Sequence, residues 1–216
     1  MGFSQGGSLA LSYLLQEAMA MGSNPQATTA PAFKFAILLS TIVAFSPDPS
    51  FASNLISGLT NNDRSILHEF PHNSKAVDYG SLSGPPERAL FFQSLGIVLD
   101  KSLSGGFIAP DTDLGLTSFH IALQEPKDLE MVPRLIHPAL LSRDVRVRIP
   151  TVHVVGRKDD EDLITMSHLM EQVCDPQFVR TLTHEGGHDV PRLVKDVRAL
   201  WSAVNWAVHE SMGQFW

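Results

Sequence analysis

IPTVHVVGRKDDEDLITMSHLMEQVC, residues 149–174, sets the layering of the chain. Ile149 to Val155 is an apolar, β-branched run of strand length, Gly156 to Asp160 has the composition of an exit loop, and DLITMSHLMEQVC reads as a helix. FVRTLTH, residues 178–184, is a second strand. It is followed by the glycine turn EGGHDVP and by an amphipathic helix from Arg192 to about Glu210. Strand, helix, strand, helix in this order marks an α/β protein with a doubly wound sheet. Functional residues then belong in loops at the carboxyl ends of strands.

The N-terminal region extends the same layering. SLALSYLLQEAMAMG carries Leu9, Leu11, Leu14, Leu15, Ala18 and Met19, mostly three and four apart, and ends at Gly22, the pattern of an amphipathic helix with a glycine stop. SNPQATTAP, residues 23–31, is a turn-rich connection. FKFAILLSTIVAF, residues 33–45, is then predicted as a strand buried on both faces. From Pro47 to about Arg148 the pattern breaks into short helical pieces separated by PHN, SGPP, SGG, APD and EP. About 100 structureless residues do not fit inside a compact domain, so this stretch is expected to form a cap or lid with its own helices. ERALFFQSLGIVLDKSL, residues 87–103, is its best helical candidate.

Composition narrows the function classes. A net charge of −7 over 216 residues, with no basic run, argues against a phosphate-backbone partner. The longest apolar stretch, Ala36 to Phe45, is too short to span a bilayer, and the N-terminus carries no charged leader, so neither membrane insertion nor secretion is expected. The single cysteine, Cys174, cannot form an intrachain disulfide, which favours a cytosolic setting.

The chemistry concentrates in three short segments. MGFSQGG, residues 1–7, contains G-x-S-x-G centred on Ser4, the turn that lifts a nucleophilic serine out of a strand and into a helix. Asp159 follows the strand 149–155 by a short loop, and His188 lies in the Gly-Gly turn after the last strand. A serine hydroxyl needs a base to remove its proton, imidazole serves near neutral pH, and a carboxylate holds the imidazole in the useful tautomer. Asp160 and Asp162 compete with Asp159, which is preferred for its spacing from the strand. The backbone N–H of Gln5 is placed to meet a developing oxyanion, and Gly2 and Gly6 are expected where a side chain would clash with neighbouring backbone. Ser4 has a plainer reading as the N-cap of the following helix.

HEGGH, residues 184–188, also matches the H-E-x-x-H zinc pattern, with Glu210 as a distant third ligand. That site needs both histidines on one helical face, and two central glycines disfavour a helix by about 2 kcal/mol relative to alanine. No metal or cofactor is therefore expected. His153 reads as a hydrogen-bonded residue within a strand and Cys174 as an inert buried thiol. His68, His72, His120 and His137 are scattered without metal-ligand spacing.

With GFSQGG, FKFAILLS, IPTVHVVGRKD and FVRTLTHEGGHDVP together, the sequence resembles the fungal serine hydrolase family of the α/β-hydrolases, whose esterase and thioesterase members include several tied to polyketide and other secondary-metabolite pathways. The resemblance implies Ser4 as nucleophile, Asp159 as orienting acid and His188 as base. It implies an acyl ester or thioester as substrate, free or held on a polyketide synthase. It also implies an α/β-hydrolase-like doubly wound sheet that is N-terminally truncated and carries a long helical cap insertion, since members look like they begin with several strands before the elbow, one followed by an H-G loop serving the oxyanion. The expected division is 1–46 for the elbow, helix and strand, 47–148 for the cap, and 149–216 for the acid and histidine loops. Loss of the early strands would leave an apolar face and edge exposed. The alternative to catalysis is a truncated or impaired hydrolase fold acting as a binding module.

Overall fold

The computed structural model describes residues 1–23, 31–71, 73–105 and 132–213. Most of the 23–31 connection, His72 and His120 lie outside them. In chain order the described strands and α-helices are β1 (Gly2–Phe3), α1 (Gln5–Ser23), β2 (Ala36–Leu39), β3 (Phe45–Ser46), α2 (Ser53–Ser57), α3 (Asn61–Ile66), α4 (Pro86–Ser104), β4 (Arg134–Leu135), β5 (Thr151–Gly156), α5 (Glu161–Glu171), β6 (Val179–His184) and α6 (Val194–Gly213). They fall into two units: Met1–Ala44 with Leu141–Trp216, and Phe45–Leu140.

The first unit is an α/β layer. Its sheet runs β1-β2-β5-β6 with every neighbouring pair parallel. Phe3 lies opposite Leu39, Leu39 opposite Val154, and Gly156 opposite His184, so all four carboxyl ends open on one edge. Side chains alternate between faces along a strand. Ile37, Leu39, Val152 and Val154 pack with Ala203 and Ala207 of α6 on one side, and the remaining residues of β2 and β5 are buried as well. That two-sided burial is why AILL and TVHVVG read as continuous rather than alternating strands. Edge strand β6 is only half-buried. Val194, Val197 and Trp201 leave an apolar face of α6 exposed.

The apolar run of residues 33–45 yields less strand than its composition predicts. Only Ala36–Leu39 enters the sheet. Ser40 donates one more N–H to the carbonyl of Val154 at 2.7 Å, yet turns into the left-handed region at φ 43°. The chain then leaves the sheet to cover the start of α1 and one face of α5. Ser8 Oγ donates to the carbonyl of Val43, and Ser167 Oγ donates to that of Thr41 at 2.7 Å. Local hydrophobicity marks burial but not where a ladder stops.

The second unit is built otherwise. β3 and β4 form an antiparallel pair, and α4 starts with a proline in its first turn, where a missing N–H costs nothing. Phe70, Phe91 and Phe92 are fully buried and meet edge to face, an arrangement aromatic quadrupoles favour. The unit closes at Leu140. Beyond it, Val147 bridges Cys174 through main-chain hydrogen bonds with Val173 and Asp175, which ties this segment to the first unit. Among the described residues, no helix is long and apolar enough to cross a membrane.

Candidate active site

The open edge of the four-stranded sheet gathers residues from both ends of the chain. Ser4 follows β1 and immediately precedes α1, with φ at 50°, a conformation that strains a residue bearing a Cβ. Two main-chain bonds hold it there. Its N–H donates to the carbonyl of Leu39 at 2.8 Å, and its carbonyl accepts from the N–H of Ser8 at 3.0 Å. The turn is thus pinned to β2 on one side and closed by the first turn of α1 on the other.

Glycine placement differs in part from the sequence expectation. A Cβ on Gly2 would come within 2.5 Å of the carbonyl oxygen of Gly6, so only glycine fits at that position. Gly6 faces open space and has no such constraint. The second steric requirement belongs to Gly7, where a Cβ would stand 2.2 Å from Thr41 Oγ1. GFSQGG contains both glycines, and their order along the chain could not tell which one would face the segment after β2.

Asp159 lies in the turn after β5, and its side chain is 3% exposed. Asp159 Oδ1 accepts from the N–H of Asp160 at 2.8 Å, and Oδ2 lies 2.9 Å from His188 Nδ1. On the other side of the ring, His188 Nε2 lies 2.9 Å from Ser4 Oγ. With the carboxylate accepting from Nδ1–H, Nε2 carries the lone pair and accepts from the serine hydroxyl. The His188 side chain keeps 28% of its surface exposed and has Phe3 beside it, ring centres 5.1 Å apart. Ser4 Oγ is turned to the imidazole, and the serine occupies the cap position of α1 at the same time.

Neither rival acid meets this imidazole in the described contacts. Asp160 caps α5 by accepting from the N–H of Asp162 at 3.0 Å, and Asp162 belongs to the first turn of that helix. Gln5 is the first residue of α1, so its N–H is one of the donors that a helix start leaves without an internal acceptor. The helix dipole adds a partial positive charge there.

HEGGH does not form the helix that a zinc pair needs. His184 ends β6 and is buried, residues 185–188 form a turn, and Glu210 sits on an exposed face of α6. Among the described residues, no group of three or more His, Cys, Asp or Glu side chains could hold a metal ion. His153 is buried in β5, where burial, with a smaller push from His168, lowers its pKa to about 4. Burial pushes the Cys174 thiol beside it up to about 12, and Sγ lies 3.7 Å from His153 Nε2. His68 is exposed against Glu69, and His137 is partly buried.

Sequence reasoning missed two contributors. Leu39 orients Ser4 through its carbonyl, which no side-chain motif could signal. Gly156 allows the acid and histidine turns to touch, since a Cβ there would lie 2.0 Å from the carbonyl oxygen of Gly187.

A family model described as serine hydrolase (FSH1) matches residues 1–200. The chain is 42% identical over 213 residues to Esterase alnB of Emericella nidulans, an overlap covering 99% of this chain and 67% of that protein. It is 27% identical over 211 residues to Serine hydrolase cnsH of Penicillium expansum, covering 97% of this chain and 77% of the relative.

Proposed function

The chain belongs to the serine hydrolase (FSH1) family, and on that premise we propose that it cleaves a carboxylic ester or thioester with Ser4 as nucleophile, His188 as general base and Asp159 as the acid that orients it. The observation carrying this reading is the imidazole held between two partners. His188 is 2.9 Å from both the Ser4 hydroxyl and the Asp159 carboxylate, although Ser4 and His188 are 184 residues apart.

In this reading Ser4 Oγ attacks the acyl carbon while Nε2 takes its proton. The tetrahedral oxyanion meets the N–H of Gln5 at the start of α1, where fixed donors lower the barrier without reorganising. His188 then returns the proton to the leaving alcohol or thiol, and the acyl group stays on Ser4. Water, deprotonated by the same imidazole, releases the acid and restores the serine. Asp159 remains a carboxylate throughout, selecting the tautomer and stabilising the imidazolium.

We further propose an acyl ester or thioester of a polyketide-like small molecule as substrate, in secondary metabolism. The family resemblance supports that class, and the relatives' names as esterase and serine hydrolase agree with the bond type. The test is labelling with a fluorophosphonate probe, followed by mass spectrometry of the modified peptide. Label on Ser4 and none on Ser4→Ala is the expected result. A wild-type chain that stays unlabelled overturns the reading.

A further inference from the structure

The first histidine of HEGGH has no part in the chemistry above, yet its placement is specific. His184 is the last residue of β6 and 3% exposed. Its Nδ1 accepts the N–H of Gly186 at 3.1 Å, so the ring folds back over the turn that leads to His188. The contact is close: a Cβ on Gly186 would lie 2.8 Å from His184 Cε1 and 2.9 Å from Nδ1. The ring therefore needs glycine at 186 in order to reach the amide. Its other nitrogen, Nε2, is buried with no hydrogen-bond partner among the described residues. A purely apolar side chain would avoid that penalty, so the bond at Nδ1 is what distinguishes histidine here from a leucine of similar bulk.

That bond connects to the acid. The peptide whose N–H is held by His184 is followed by the Gly186 carbonyl, which accepts from the N–H of Lys158 at 2.9 Å. One residue earlier on the acid turn, the N–H of Arg157 donates to the carbonyl of His184, also at 2.9 Å. Lys158 precedes Asp159, and Gly187 precedes His188. The His184 side chain thus holds the Gly186 amide of a turn whose main chain is laced to the acid loop, while Asp196 Oδ2 accepts the neighbouring N–H of Glu185 at 3.4 Å.

We propose that His184 is a positioning residue for His188 and Asp159, acting as a ring clamp through Nδ1 on the Gly186 amide. The proposal rests on the reading of Ser4, His188 and Asp159 as the reacting group. Losing the clamp lets the two turns drift, and small displacements of reacting atoms cost rate more than binding.

The test compares His184→Leu, which keeps bulk without an acceptor, with His184→Asn, whose Oδ1 lies as many bonds from Cα as Nδ1 does and restores the acceptor. Wild type and both variants are titrated with a fluorophosphonate probe, and Ser4 modification is followed by mass spectrometry. The leucine variant is expected to lose about tenfold in the saturated rate of Ser4 modification, at an unchanged half-saturating probe concentration. The asparagine variant is expected to stay within about threefold of wild type. Should His184→Leu not fold, His184→Gln, with its acceptor one methylene further out, takes its place and is expected to react slowly. Equal rates in His184→Asn and in the leucine or glutamine variant compared with it, fast or slow, overturn the clamp. An unlabelled wild type overturns the Ser4 reading and the clamp with it, and is distinguishable because it fails before any variant is compared.

Discussion

Among the described residues, each unit has a carboxylate whose side chain is almost wholly shielded from solvent, and the two have different surroundings. In the second unit, Asp63 is fully buried and takes four hydrogen bonds, from the N–H and hydroxyl of Thr60 and of Ser83. Arg88, also buried, stands 3.8 Å away and donates to the carbonyls of Leu55, Ser83 and Asn54. Burial alone would raise the Asp63 pKa, but the bonds from Ser83 and Thr60 outweigh it and hold the group well below the usual carboxylate range. The knot is internally satisfied. In the first unit, the Asp159 side chain is shielded too, but its Oδ2 accepts from an imidazole that remains partly open to solvent and touches a serine. A saturated carboxylate anchors a fold, whereas one that donates its orienting power outward builds a site.

The sharpest way to break this contrast is to remove groups from the open site. Ser4→Ala is expected to lower ester turnover by about 10⁶-fold and Asp159→Asn by about 10⁴-fold, both leaving the thermal midpoint nearly unchanged. Steady-state kinetics beside a melting curve checks both. Loss of folding in either variant would mean that the site is structural like the Asp63 knot.

The converse change is Asp63→Asn, which leaves Arg88 buried without its counter-charge. It is expected to destabilise the protein by about 3–5 kcal/mol, while fluorophosphonate labelling of the folded fraction stays at the wild-type rate. Denaturant melts with labelling at the same concentrations read the two effects separately.

A third buried polar group, His153, predicts the pH response of the first unit. Its folded pKa near 4 lies below the ordinary histidine value of 6.5, so at neutral pH it is uncharged in both folded and unfolded chains. As pH falls below about 6.5 the unfolded chain takes up the proton first, and stability is lost down to about pH 4, by about 3 kcal/mol in total. Asp63 adds its own loss only below the unfolded carboxylate value of about 3.9. Unfolding free energies measured for wild type and His153→Leu across this range should diverge between those limits, the variant being flatter.

The smallest effect concerns the elbow glycines. Gly7→Ala must displace Thr41 and is expected to cost about 1–3 kcal/mol. Gly6→Ala, in a helix with open space around it, should be neutral or stabilise by up to about 1 kcal/mol. Thermal melts of the two variants order them directly.

What was legible in the sequence follows from how locally each feature is encoded. The helix ending near Gly22, the helix of residues 87–103 and the strand from Ile149 needed only periodicity and composition, and α1, α4 and β5 lie within a few residues of them. The early end of β2 was not legible, because Ser40 turns aside to serve contacts with α1 and α5 that are distant in sequence.

The sequence by itself determined the α/β layering, the residue types in three short turns and the family, because strand burial, helical period and short turn motifs are written within a few residues of one another. Only the tertiary structure decided that His188 bridges Ser4 and Asp159, that Asp160 is a helix cap, and that Gly7 rather than Gly6 is sterically required. Those outcomes depend on the register of parallel strands and on main-chain bonds between turns. Such distances are properties of the folded sheet and of no single segment within it.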